Sequence, residues 1–306
     1  MCINNHQYSF VNTVGQGLRA LVQLGFPIVG QTSCVLTLLS VLLLTCFLYG
    51  CPAPDEAQQQ RRELQRDALK LKMGQELNPI DPEGHVALGK IYHQLGEHEK
   101  AIESFQTAIS LDEKHQHAYN NLGLIYIDLR LFLLAIEMFQ AALEIEPENP
   151  AFYNNLGYAY DMSDRFDEAL EAYRNALDAD SAFVDTYYNL ADAYLNRESY
   201  PEAIQYYKAG IELDGGDATV YFNIGLAYQE TDELLSAIQA YEKGVSLDSD
   251  EVEAYYRLAL AYQKKGDHVM MHRYLDTFLK KAEGIHRFEK QYLTAKRMRQ
   301  QASGDR

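Results

Sequence analysis

Few groupings of residues in this sequence have the types and spacing needed for chemistry. The closest is the segment HVMMH, in which His268 and His272 lie four positions apart and share one face of a helix, as two metal ligands would. No third ligand is evident, and His268 stands where an aromatic packing residue is expected. The 306 residues contain no glycine-rich phosphate loop, His-Glu-x-x-His pair or Gly-x-Ser-x-Gly motif. We therefore predict a protein that is not an enzyme and has no metal or cofactor.

The elements that position any binding residues follow from an internal repeat. The hexamers AYNNLG at 118–123 and FYNNLG at 152–157 lie 34 positions apart. The same spacing extends over six windows without insertion or deletion, which indicates a repeat architecture. The six windows are residues 82–115, 116–149, 150–183, 184–217, 218–251 and 252–285.

Several positions of each window keep one kind of side chain. Position 7 is aliphatic, position 8 is Gly or Ala, and position 11 is Tyr in every window, while position 24 is aromatic in the first five. Positions 4, 7, 8 and 11 share one face of a first helix, and positions 20, 24 and 27 share one face of a second helix. Each window therefore predicts a helix hairpin, in which the small residues allow the two backbones to approach closely.

These residues and their 34-residue register resemble the tetratricopeptide repeat (TPR) family over residues 82–285. The resemblance implies an all-α fold, a right-handed α-solenoid of six helix hairpins. Residues 58–81 resemble the second helix of a preceding partial repeat, and residues 286–306 are predicted to form a capping helix with a basic tail. Such ends are expected because an open terminal repeat would expose its core face.

The TPR resemblance also implies that positions 2, 5, 6, 9, 12 and 13 of each first helix face a concave groove. A ladder at position 6 would line this groove: Asn121, Asn155, Asn189, Asn223 and Arg257. Aromatic and acidic side chains occupy other groove positions: Tyr158, Tyr188, Phe222, Tyr256, Asp161 and Asp192. Because amides both donate and accept hydrogen bonds, we expect the groove to bind an extended peptide segment of another protein. The alternative is that Asn at position 6 is a family habit without a role in binding.

If the ladder binds a partner, replacing Asn155 and Asn189 together by Ala should weaken capture of that partner. From the sequence alone, thermal unfolding is expected to stay unchanged.

The charge composition narrows the class of partner. The chain has 44 acidic and 27 basic side chains, a formal net charge of −17. An acidic solenoid repels nucleic acid phosphates and favours basic or neutral protein segments. We therefore expect protein partners and no nucleic acid.

The first 51 residues differ from the rest, since Arg19 is their only charged side chain. Residues 35–48 form an uncharged run, VLTLLSVLLLTCFL, whose length suits the core of a secretory signal better than a spanning helix. Leu48, Gly50 and Cys51 resemble the lipobox of bacterial lipoproteins, although Tyr49 departs from that motif. This predicts a leader over residues 1–51, lipidation at Cys51, a short linker over 52–57, and a membrane-anchored lipoprotein of the cell envelope that faces the periplasm.

Two alternatives remain open for this leader. Residues 20–54 carry no charge, and five basic residues follow between 61 and 72, so an uncleaved inner-membrane helix would leave the solenoid in the cytosol as a tethered adaptor. In the other alternative, Cys51 is a cysteine of the apolar segment without a role. As a lipoprotein, the chain resembles two groups of bacterial TPR lipoproteins, pilotin-like factors and adaptors of peptidoglycan-cleaving enzymes. The residues do not show which of the two groups it resembles more.

One apolar cluster falls where TPR repeats usually carry polar residues. Leu131, Leu133 and Leu134 are expected on the convex side, where exposed leucines favour a partner or a homodimer. The alternative is local burial against the next repeat.

Overall fold

The computed structural model describes residues 56–304. The predicted leader, its lipidation site Cys51 and most of the linker therefore lie outside the described residues. The chain divides into two compact units, residues 1–62 and 63–306, and all of the repeats belong to the second. Among the described residues, no helix combines the length and the apolar character needed to cross a membrane.

Over residues 56–304 the chain forms fourteen α-helices and one short 3-10 helix. The helix before the repeats is α1, Glu56–Leu77. The twelve helices of the repeats are α2 (Pro82–Gln94), α3 (His98–Leu111), α4 (Gln116–Asp128), α5 (Phe132–Ile145), α6 (Pro150–Met162), α7 (Phe166–Ala179), α8 (Val184–Leu195), α9 (Tyr200–Asp214), α10 (Ala218–Glu230), α11 (Leu234–Leu247), α12 (Val252–Lys265) and α13 (His268–Ala282). A 3-10 turn at His286–Phe288 then leads into α14, Glu289–Gly304.

The twelve helices α2 to α13 pack as six hairpins, one for each 34-residue window, and each hairpin packs on the next. This confirms the predicted all-α solenoid of six TPR hairpins. The partial repeat was predicted over residues 58–81, and the helix in this region runs from Glu56 to Leu77. Its early end has a local cause, because Asn78 precedes Pro79 and a residue before proline is disfavoured in the helical conformation.

A glycine beneath an aromatic ring holds the two helices of a hairpin together. In the second repeat, a Cβ added at Gly123 would lie 2.6 Å from Cε1 of Phe139, and the same relation joins Gly157 to the Tyr173 ring. Both rings are fully buried. The small residue at position 8 is therefore needed because the aromatic side chain at position 24 occupies the space directly above it. The side chains of the two helices thus interdigitate in a closely packed core.

The turn between the two helices uses one backbone conformation in all six hairpins. Position 15 of every repeat has a positive φ, between 58° and 80°. The residues are Gly96, Arg130, Asp164, Glu198, Asp232 and Gly266. Only the first and last are glycine, the residue that adopts this region without steric cost. The four central repeats therefore keep the turn at a modest local cost, which the packing of the hairpin must offset.

The apolar cluster at the start of α5 is exposed, as predicted. Leu131, Leu133 and Leu134 have exposed fractions of 45%, 66% and 39%. The alternative interpretation was that these leucines are buried against the next repeat, and their exposure contradicts it. The homodimer through this surface stays a prediction.

Candidate functional site

The first helices of neighbouring repeats form one continuous surface. Besides its partner in the hairpin, each of the helices α2, α4, α6 and α8 contacts the first helix of the following repeat, and the series ends at α10. Side chains from different repeats are thereby brought within hydrogen-bonding distance. This surface carries the residues that the sequence assigned to the groove, and we call it the first-helix surface.

The asparagine ladder links neighbouring repeats. Nδ2 of Asn155 donates a hydrogen bond to Oδ1 of Asn120 in the preceding repeat, at 2.9 Å. Nδ2 of Asn189 donates in the same way to Oδ1 of Asn154, also at 2.9 Å. The first asparagine of each AYNNLG-type hexamer is therefore the acceptor for the second asparagine of the following repeat. The doubled Asn in the sequence was the signal for this pairing, but only the second residue of each pair was assigned a role.

Two members of the ladder depart from this pairing. Nδ2 of Asn121 donates to the backbone carbonyl of His117 in its own helix, at 2.6 Å. Nδ2 of Asn223 donates to Oδ1 of Asp192, at 3.1 Å, because position 5 of the preceding repeat is Tyr188 instead of an asparagine.

Asp192 is the best-defined carboxylate of this surface. Its Oδ1 accepts hydrogen bonds from the hydroxyl of Tyr207, in its own hairpin, and from Asn223, in the next repeat. Burial raises the pKa of Asp192 above its ordinary value, and the two hydrogen bonds act in the opposite direction. Among the ion pairs of the described residues, none involves Asp192. Sequence reasoning did not find Tyr207 as its partner because Tyr207 lies on a second helix and matches the core pattern.

Other charges predicted in the groove are already compensated within the protein. Oδ1 of Asp161 lies 2.5 Å from Nη1 of Arg197, whose guanidinium also stacks on the Phe166 ring at 4.0 Å from its centroid. Nη2 of Arg257 lies 3.0 Å from Oε1 of Glu253, one turn away on the same helix. Asp161 and Arg257 therefore have less charge to offer a partner than the sequence suggests.

The four predicted groove aromatics differ in exposure. The Tyr158 side chain is the most open of them, with an exposed fraction of 37%. The Tyr188 ring lies over Gly210 and its hydroxyl donates to Asp214. Phe222 packs on Tyr241, and Tyr256 packs on Phe278, with ring centroids 5.8 and 5.1 Å apart. The rings of Tyr188, Phe222 and Tyr256 therefore pack against other parts of the protein, in addition to any contact they make with a ligand.

The hydrogen bonds of the ladder change the expected effect of its removal. Replacing Asn155 and Asn189 together by Ala removes two bonds between repeats, and each such bond contributes about 1 kcal/mol net. We expect the free energy of unfolding to fall by about 2 kcal/mol in urea titrations followed by circular dichroism. Asn121→Ala is the matched control, since its amide bonds only within its own helix. An unchanged unfolding midpoint in the double variant would contradict the assigned bonds.

Comparison with known sequences identifies the repeats. A family model described as TPR repeat matches residues 89–129 and 233–266. A second model, described as tetratricopeptide repeat, matches residues 120–182 and 159–218. Together these matches span more than half of the chain. No curated protein sequence matches it.

Solved structures of TPR proteins share the fold. PilF of Pseudomonas aeruginosa matches with a TM-score of 0.62 and 18% identity, over 71% of this chain and 97% of that one. PilW, described as a widely conserved type IV pilus biogenesis factor, matches with a TM-score of 0.59 and 19% identity, over 70% of this chain and 97% of PilW. A chain of the APC/C hetero-tetramer Cut9–Hcn1 matches with a TM-score of 0.62 and 16% identity, over 77% of this chain and 46% of its own length.

At these identities the structural matches show the fold alone, whereas the sequence models identify the repeat itself. TPR arrays are protein-interaction scaffolds, and a protein partner is the general expectation for such a fold. The chain belongs to the tetratricopeptide repeat family.

Proposed function

We propose that this protein is a non-catalytic scaffold of the bacterial cell envelope. In this proposal it holds an extended, basic or neutral segment of another protein along the first-helix surface of repeats three to five. The observation that carries the proposal is Asp192, a half-buried carboxylate without an ion-pair partner among the described residues, fixed in orientation by Tyr207 and Asn223. A partner's Lys or Arg would supply the missing cation.

The neighbouring amides support an extended partner. Asn155 and Asn189 each use one N–H to reach the preceding repeat. An amide has two N–H groups and a carbonyl oxygen, so each retains the means to donate to and accept from a peptide backbone. Because these bonds to the preceding repeat also fix the amide planes, the groups are ordered before a partner arrives, which lowers the entropic cost of binding.

Charge selection at this surface should depend on Asp192 in particular. Asp161 and Glu253 already pair with Arg197 and Arg257, so neither offers a free negative charge. The exposed ring of Tyr158 lies one repeat before Asp192 and offers an aromatic face on which an arginine or an apolar side chain can stack.

The Asp192→Asn substitution tests this proposal. The amide oxygen can still accept from Tyr207 and Asn223, so only the charge is lost. We expect peptides selected on the wild-type chain from a library of short random peptides to be enriched in Lys and Arg. Their affinity for the variant, measured by fluorescence anisotropy, should fall about 10-fold, which corresponds to about 1.4 kcal/mol.

The free energy of unfolding of Asp192→Asn should not fall together with its peptide affinity, so a loss of binding can be told apart from a loss of folding. A carboxyl group whose pKa is raised on folding contributes stability below its ordinary pKa and loses it as the pH rises through the folded value. The ionised form of Asp192 is therefore a cost to folding, and Asp192→Asn should be at least as stable as the wild type. Glu171→Gln, the same loss of charge at an exposed residue of α7, is the control and should bind like the wild type. Selection of acidic peptides, or equal loss in both variants, would contradict the proposal.

The envelope location rests on the leader, which the structure does not describe. If Cys51 is lipidated, Cys51→Ser should move the protein from the membrane to the soluble fraction and abolish its labelling by radioactive palmitate. A variant that stays in the membrane would instead support the uncleaved helix with a cytosolic solenoid. Protease access to the repeats in intact spheroplasts distinguishes the two orientations, since only a periplasmic solenoid is cleaved.

Two kinds of partner protein are candidates within the envelope. The description of PilW as a type IV pilus biogenesis factor makes assembly of a pilus component one candidate role for this scaffold. Recruitment of peptidoglycan-cleaving enzymes is the other. In vivo crosslinking from position 158, with a photoreactive residue in place of Tyr158, followed by mass spectrometry would tell the two apart.

A further inference from the structure

We propose that His93, His98 and Asp128 bind a divalent transition-metal ion, with Zn²⁺ as the favoured metal, between the first two repeats. One ring nitrogen of each histidine and one carboxylate oxygen of Asp128 lie within 4.8 Å of one another. The three residues come from three helices. His93 is in the last turn of α2, His98 is the first residue of α3, and Asp128 is the last residue of α4.

The contacts among these side chains fit a shared ligand. Nε2 of His93 lies 2.6 Å from Oδ2 of Asp128, and the two imidazole rings have centroids 5.9 Å apart. Nδ1 of His98 is buried and has no hydrogen-bond partner among the described residues. A buried polar atom without a partner is costly, so a ligand for this nitrogen would relieve that cost. Asp128 is exposed, which leaves an entry path from solvent.

The donor set selects the class of ion. Two imidazole nitrogens and a carboxylate oxygen are the ligands of three-ligand zinc sites, in which water holds the fourth position. Bonds of about 2.1 Å in a tetrahedron place the ligand atoms about 3.4 Å apart. The 2.6 Å contact between His93 and Asp128 would open slightly, and the wider separations would close by about 1.4 Å or less.

An ion at this site would link two neighbouring repeats. It would join the first repeat, through His93 and His98, to the second repeat, through Asp128. Because the unfolded chain does not bring the three ligands together, the ion should also stabilise the folded state.

The sequence pattern did not indicate this site. The histidine pair it offered, His268 and His272, lies on α13 in the last repeat, where His268 is exposed. The ligands proposed here lie 5 and 35 positions from His93 along the chain, a spacing that matches no zinc motif. They meet because the second repeat stacks on the first.

The test uses the full chain with its four cysteines replaced by serine, since thiolates are themselves zinc ligands. Isothermal titration with ZnCl2 should give one ion per chain, and Co²⁺ should produce the visible absorption of a tetrahedral site. Zn²⁺ should raise the unfolding temperature of this protein. Because losing a residue that only supports a ligand already costs 10- to 100-fold in affinity, His98→Gln and Asp128→Asn should each weaken Zn²⁺ binding by about 100-fold or more.

His268→Gln is the matched control and should leave binding unchanged. Equal affinity in His98→Gln and the parent protein would overturn the proposal, as would the absence of any Zn²⁺ binding at millimolar concentration. Loss of binding only in His268→Gln would place the ion at the other histidine pair and would equally overturn it. The zinc-induced rise in unfolding temperature is compared within each variant, so a variant that is merely less stable does not imitate the expected result. Binding of peptides near Asp192 is a separate measurement, and either proposal can fail alone.

Discussion

Phe139→Ala is expected to lower the free energy of unfolding by about 3–5 kcal/mol. Its ring is fully buried between α4 and α5 and lies directly over Gly123. Truncation would leave a cavity that the surrounding helices can fill only in part, since each is held by a neighbour on its other side. Urea titration followed by circular dichroism measures the change. Leu133→Ala on the same helix, with 66% of its side chain exposed, is the control and should change stability by less than about 0.5 kcal/mol.

A double-mutant cycle with Gly123→Ala tests the contact itself. Alone, the added Cβ would stand 2.6 Å from Cε1 of Phe139 and should cost about 1–3 kcal/mol through overpacking, despite the better helix propensity of alanine. Once Phe139 is alanine, the same Cβ has room, and Gly123→Ala should become neutral or stabilising. The coupling would then exceed about 1 kcal/mol in favour of the double variant. Additive effects would show that the ring and the glycine are not in the contact described.

Phe288→Ala is expected to unfold the end of the array without unfolding the rest. Phe288 is 4% exposed and packs edge-on against Phe278 of the sixth repeat, with ring centroids 6.0 Å apart. Losing this ring should cost about 3–5 kcal/mol locally. Because each repeat contacts only its neighbours, the cost falls mainly on the last hairpin. Hydrogen exchange with mass spectrometry should show loss of protection in α12 and α13, while α4 to α9 retain theirs.

Leu293→Ala on the capping helix is the control for this experiment. Its side chain is 48% exposed, so its truncation should leave the exchange of α12 and α13 unchanged. A uniform loss of protection across all six repeats in Phe288→Ala would contradict the local effect. It would mean that the array unfolds as one cooperative unit.

Much of the fold was predictable because it is encoded locally. The 34-residue period, the two helices of each window and the close approach of these helices at the small residue of position 8 all follow from the spacing of small and aromatic residues. Gly123 and Phe139 are one example, and their contact lies within a single hairpin. The left-handed turn at position 15 could not be predicted for every repeat, since Arg130 and Glu198 are residues that rarely adopt a positive φ. There the hairpin packing overrides the residue's own preference.

The residues of the candidate site could be predicted from the sequence, but the contacts among their side chains could not. The sequence placed Asn155, Asn189 and Asp192 on one surface, and the stacking of the first helices brings them together. It could not show that Arg197 neutralises Asp161 or that Tyr207 holds Asp192. Those contacts join a second helix or a neighbouring repeat to the first helix, so they depend on how the elements pack. Only the tertiary structure supplies that information.

One geometric relation accounts for three of the contacts between repeats that the sequence did not reveal. His93 with Asp128, Asn120 with Asn155, and Asn154 with Asn189 are each 35 residues apart, one more than the repeat length. The sequence by itself determined the period of 34 and the faces of the helices, since these reflect side-chain spacing along one chain segment. The offset of one position between stacked repeats is set by the packing of whole hairpins against each other. That offset brings together the paired asparagines of the ladder and the His93 and Asp128 side chains of the proposed metal site. Asp192 is held differently, by Tyr207 within its own hairpin and by Asn223, 31 positions further along the chain.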